Sequence, residues 1–176
     1  MHKKLRAILA VALFLFSPIL QSKNSKESVD SVKELISKSQ AMILQGDRIK
    51  ACQILTTALN KDGVKTKGFL EISKALKKCT EIFILEKAQQ SYEVAIANYT
   101  SDKNQSTEKF KESLGLEPRN ALIIKGLIFA LLSQNECVQV KKYYTELKKI
   151  NPYDDEFGHF QFLELICAKN KSEALA

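Results

Sequence analysis

"GLEPRNALIIKGLIFALLSQNECVQVKKYYTELKKINPYDDEFGH", Gly115 to His159, is the stretch on which the fold turns. Pro118 and Pro152 stand 34 residues apart, and each follows a lysine-bearing segment that ends in an apolar residue and one acid or amide. Proline lacks the N–H that a helix interior needs, so each marks the end of a helix. Between them lie an apolar helix, Ala121 to Leu132, a turn at "SQNE", and a helix from Cys137 to Ile150 with apolar residues at intervals of three and four. The last nine residues bring three carboxylates and a histidine together, which raises the question of a metal. Glu156 and His159 have the spacing that puts a carboxylate and an imidazole on one helix face, but helix-bundle metal centres need a second such motif and two more glutamates. The other histidine is His2, in the N-terminal segment. The reading is therefore no metal, with Asp154 or Asp155 capping a last helix from about Glu156 to Ala168.

The same helical period runs through the rest of the chain. Val29, Val32, Leu35, Ile36, Met42 and Ile43 predict a first helix, stopped by "QGDR" at Gln45 to Arg48, where Gly46 ends one helix and Asp47 caps the next. The second, about Arg48 to Leu59, carries Ile49, Cys52, Leu55 and Ala58 or Leu59 on one side. From Phe69 to Tyr99 there is neither Gly nor Pro, which predicts an irregular long central helix, or two nearly continuous ones; the sequence leaves both open. A helix around Thr107 to Leu114 follows. The expectation is an all-α chain of about seven helices after the N-terminal segment, stacked as antiparallel pairs, with no strand.

That N-terminal segment has the order of a secretory signal: "MHKKLR", then uncharged "AILAVALFLF", then polar residues. Its apolar run, Ala7 to Leu20, falls short of the roughly 20 residues a spanning helix needs. Export with cleavage near Ser22 is expected, ahead of an uncleaved inner-membrane tether. The domain reading is signal 1–22, polar linker 23–28, one helical domain 29–170 and tail 171–176. Loss of Lys3, Lys4 and Arg6 lowers the formal charge from +7 to +4. The remaining lysines, in pairs such as Lys141 and Lys142 or Lys148 and Lys149, are mixed with acids and lack an aromatic ladder, so they read as solvated surface and not as a nucleic-acid site.

The 34-residue step resembles the tetratricopeptide repeat. In a frame opening at Ala121, residues Ile124, Leu127, Ile128, Leu131, Val140, Tyr144 and Leu147 fall at packing positions and Pro152 at the end. Leu35, Ser39, Met42, Gly46, Asp47, Ala51, Leu55 and Ala58 match again near the N-terminus. The middle departs from the pattern: Gln90 and Glu93 occupy apolar places, and the two frames are out of step. The resemblance implies a binding groove on the first helices of the pairs, formed here by Leu122, Lys125, Phe129 and Leu132 together with His159, Leu163 and Ile166. Phe129 stands where carboxylate-clamping members have Asn, so that mode is not expected.

Four cysteines follow the signal. Cys52 and Cys79 are 27 residues apart, Cys137 and Cys167 are 30 apart, and a helix-breaking turn separates the members of each pair. If those turns join antiparallel helices, each pair lies at adjacent helix ends, so the pairing Cys52 with Cys79 and Cys137 with Cys167 is expected among the three that four cysteines permit. Four buried thiols is the competing reading; zinc lacks a close Cys-x-x-Cys pair. There is no Gly-x-Ser-x-Gly elbow and no phosphate-cradling glycine loop. The expected function is an exported, non-catalytic interaction scaffold of the bacterial envelope. It would take no cofactor, small-molecule substrate or nucleic acid, and would bind another envelope or secreted protein or a second copy of itself. The alternative is a structural or chaperone-like periplasmic bundle with no groove.

Overall fold

The structure is a computed structural model that describes residues 19–62 and 68–174, with side chains described for 31–61 and 68–169. The signal-like residues 1–18 lie outside the described residues. The described residues are all-helical, without strands: α1 (Ile19–Leu44), α2 (Arg48–Asp62), α3 (Phe69–Glu81), α4 (Glu86–Asn98), α5 (Lys103–Leu116), α6 (Ala121–Leu132), α7 (Cys137–Ile150) and α8 (Phe157–Ala174). None of them is long and apolar enough to cross a membrane. α1 already includes 23–28, expected as a linker, and α8 takes in 171–174, expected as tail.

Local chemistry accounts for most boundaries. After α1 the N–H of Gly46 bonds the carbonyl of Ile43 and that of Asp47 reaches Met42, with Gly46 at φ 82°, a left-handed closure that suits glycine. The same pair of bonds ends α6, with Asn135 (φ 58°) in glycine's role. Asn120 caps α6 by accepting from the N–H groups of Leu122 and Ile123, and Asp102 caps α5 through Gln105.

Two apolar cores result. Ala51, Leu55, Leu59, Ile72, Leu76 and Cys79 form one between α1, α2 and α3; Phe110, Ile123, Ile124, Leu127, Val140, Leu147 and Phe160 anchor the other among α4 to α8. On α2 the buried stripe is Ala51, Leu55 and Leu59, whereas Ile49, expected to face inward, is 47% exposed. Arg48, one turn before Ala51, is buried on the same side of α2. Consecutive helices pack on one another except α3 and α4; α3 leans on α6 instead, which is where the two cores meet.

The central stretch is two helices and not one, and the described residues form eight helices where about seven were expected. α3 ends at Glu81, Ile82 is extended (φ −70°, ψ 139°), and α4 starts at Glu86. Nothing local breaks the chain there. The freed N–H groups are received from a distance: Glu117 Oε1 accepts from the backbone N–H groups of both Ile84 and Leu85, at 2.6 Å each, and so caps α4 from outside its own sequence. Glu117 Oε2 in turn accepts from Arg48 Nη1 at 2.8 Å and from Asn120 Nδ2 at 3.2 Å. Arg48 also donates to the carbonyls of Ile82 and Pro118, each at 3.0 Å. Burial lowers the Arg48 pKa from its ordinary value, and the Glu117 carboxylate opposes that shift. The turns before α2, α4 and α6 are thus tied into one buried polar knot.

Candidate functional site

The carboxylates of "NPYDDE" form a second ionic cluster on the seam between the cores. Lys125, projecting from α6 and only 6% exposed, directs its Nζ to Glu81 Oε1 (2.6 Å), Asp154 Oδ2 (2.8 Å) and Glu156 Oε2. Lys77 of α3 bonds Asp155 Oδ1 at 2.8 Å and approaches Glu156. Burial disfavours the charge on Lys125, but hydrogen bonds to Asp154, Glu156 and Glu81 outweigh it and raise its pKa above the ordinary lysine value. Hydrogen bonding to Lys77 likewise lowers the pKa of Asp155 and raises that of Lys77.

Glu81, Asp154 and Glu156 each offer an oxygen within 4.8 Å of the others, a spacing that could suit a metal ion. The Lys125 ammonium sits among all three as their shared ion-pair partner and so occupies the place a metal ion would take. His159 is not part of the cluster; its ring lies 6.2 Å from that of Phe129 and 6.0 Å from that of Phe160. The aspartates therefore do more than cap. Asp154 Oδ1 accepts from the N–H of Glu156 at 3.0 Å, as capping requires, while its other oxygen pairs with Lys125. Tyr153 reinforces the same seam by donating to Asn60 Oδ1 at 2.7 Å and packing edge-on against Phe69.

This changes the expected groove. Lys125 is removed from it, because the carboxylates from the end of α3 and from the turn before α8 hold it inside. Leu132 is half-buried against the larger core and Leu122 is half-buried. Phe129, 37% exposed, and His159 do come together. His159, Leu163 and Ile166, spaced four and three apart, continue along one face of α8, with Leu163 half-buried and Ile166 exposed. Of the expected groove residues, Phe129, His159, Leu163 and Ile166 thus make an apolar strip from which Lys125 is absent. Phe162 and Leu165, 60% and 58% exposed, add apolar surface to α8 that the sequence reading did not include.

The cysteines meet in the expected pairs. Cys52 lies against Cys79 with Cα atoms 5.7 Å apart, joining α2 to α3, and Cys137 against Cys167 at 5.5 Å, joining α7 to α8; both are at disulfide-bonding distance.

Sequence reading missed the knot around Arg48 and Glu117. One sign of it was present: a basic residue opening α2, where the helix dipole favours an acid, asks for a distant partner. Compared with protein-family models, curated proteins and solved structures, the chain has no match.

Proposed function

We propose that this chain is an exported, non-catalytic interaction scaffold of the bacterial envelope, built of tetratricopeptide-like helix pairs and binding another envelope or secreted protein. The observation that carries the reading is the apolar surface of the last helix. α8 exposes Phe162, Leu165 and Ile166, which share one side of the helix, beside the Phe129 and His159 pair. Clustered exposed apolar surface is the kind of surface that partners cover. The 34-residue interval from the start of α5 to the start of α7 supports the repeat reading. Two cysteine pairs at bonding distance are compatible with an oxidising compartment, in keeping with the signal-like N-terminus.

The test is affinity capture from envelope extract of the native host, comparing wild type with Phe129→Glu and Ile166→Glu, each checked for a native melting profile. A protein retained by wild type and lost with either folded variant supports the reading. Equal retention by all three counts against this surface. The half-burial of Leu122 and Leu132 favours the second reading, a structural or chaperone-like periplasmic bundle without a groove. In that case capture recovers nothing specific and the variants are silent.

A further inference from the structure

On another side of the molecule, α2, the turn between α5 and α6, and α7 enclose a hollow. A pocket of about 140 Å³ bounded by Arg48, Cys52, Thr56 and Arg119 opens past Arg119, Lys149 and Ile150 into a shallower one of about 710 Å³ along α7. Val138, Lys141, Lys142, Thr145 and Lys149 recur on α7 at helical spacing and form its wall.

Several described lysines, such as Lys38, Lys74 and Lys103, lack a carboxylate partner, but in this hollow four such cations line one surface together. Lys50, Lys77, Lys109, Lys111 and Lys125 each have a carboxylate within ion-pair distance. Among the described residues Arg119, Lys141, Lys142 and Lys149 have none. Glu146 is the single acid in the wall, and it pairs with none of them. Arg119 also lies near enough to Arg48 to disfavour the charge there. It is held at φ 66°, a left-handed conformation that glycine adopts more readily. A concave surface lined by one sign of charge concentrates its field on a ligand of the other sign.

We propose that this cleft binds an extended acidic peptide segment of the partner protein, its carboxylates set against Arg119, Lys141, Lys142 and Lys149. The proposal rests on the scaffold reading and gives it a partner chemistry. From Lys141 to Lys149 the helix rises about 12 Å, the length of about four extended residues. Val138, 73% exposed, and Ile49, 47% exposed, add apolar surface for flanking side chains. The lining has no aromatic ring on which a base would stack.

The probe is a fluorescein-labelled peptide of four alternating Asp and Glu residues between two leucines, titrated by anisotropy into the full chain with its disulfides intact. The expected result is saturable binding that weakens with salt. It should fall about tenfold in Lys141→Glu/Lys149→Glu, where two attractions become repulsions, and fall again in Arg119→Gly, a change that relieves backbone strain and so preserves the fold. The charge-matched control Lys38→Glu/Lys74→Glu, on helices outside the cleft, should bind almost as wild type. Four results each overturn the proposal: no saturable binding, equal binding of the Asn and Gln version of the peptide, equal loss in the control, or tighter binding of a single-stranded oligonucleotide or of anionic vesicles. If the peptide fails while capture through Phe129 and Ile166 persists, the cleft proposal alone falls. If the peptide binds while those surface variants leave capture unchanged, the α8 surface is what fails.

Discussion

Removing the Glu117 carboxylate tests the claim that a distant side chain, and no local signal, splits the central helix. Glu117 is 4% exposed and receives four donors: the N–H groups of Ile84 and Leu85, Arg48 Nη1 and Asn120 Nδ2. Glu117→Ala leaves a buried guanidinium without its counter-ion, a change that costs about 3–5 kcal/mol. It also leaves two backbone donors unsatisfied, each worth about 1–3 kcal/mol where water cannot reach. Some solvent entry will offset part of this, so we expect at least about 4 kcal/mol, a large share of the roughly 5–15 kcal/mol that holds a domain of this kind folded. Glu117→Gln keeps an acceptor for the Ile84 and Leu85 N–H groups but turns amide hydrogens toward Arg48 and Asn120, and should cost less. Urea unfolding followed by far-UV circular dichroism gives the totals. Amide hydrogen exchange supplies the local readout: in Glu117→Ala the Ile84 and Leu85 amides should exchange far faster, and in Glu117→Gln they should stay protected. A Glu117→Ala cost below about 1 kcal/mol, or unchanged protection at those two amides, would refute the reasoning, because the break would then be held by something else.

Three further outcomes follow from the packing and the charges. Lys125→Met strips the cation from Asp154, whose side chain is fully buried, and should destabilise by about 3–5 kcal/mol in urea unfolding. Because the folded-state pKa of Lys125 is raised above the ordinary lysine value of 10.5, its contribution is complete below that pH and disappears as pH rises through the folded value. The gap between wild type and Lys125→Met should therefore stay level to about pH 10 and narrow above it. Reducing either cysteine pair releases a loop of 27 or 30 residues, so each should contribute about 3.5 kcal/mol by loop entropy, seen as a lower melting temperature in dithiothreitol; no shift would mean the thiols are free in the native protein. Gly126→Ala would drive a Cβ into the buried ring of Phe110, so a loss of about 1–3 kcal/mol is expected by thermal melting, and a neutral result would show that the ring can retreat.

Much of the fold was written locally. α6 and α7 run from Ala121 to Leu132 and from Cys137 to Ile150, where periodicity and the flanking prolines put them, because capping and turn chemistry act within a few residues. Gly46 and Asn120 close and open helices by that same short-range chemistry. The cysteine pairs could be read because each reflects one turn between neighbouring helices and the separation of their ends.

The rest depended on residues far apart in the chain. A polar residue in a sequence shows its charge but not its depth, so the repeat frame puts Lys125 in the groove whereas three carboxylates hold it inside. "NPYDDEFGH" was correctly read as the border of a helix, yet its acids also join two cores through Lys77 and Lys125. Ile82 to Leu85 carries no Gly or Pro, and its break is held from elsewhere in the chain: Glu117 receives the freed N–H groups, and Arg48 and Asn120 donate to the Ile82 carbonyl. Sequence by itself determined where helices can begin and end. Tertiary structure decided which charges are buried, since desolvation and pairing are properties of a place and not of a residue.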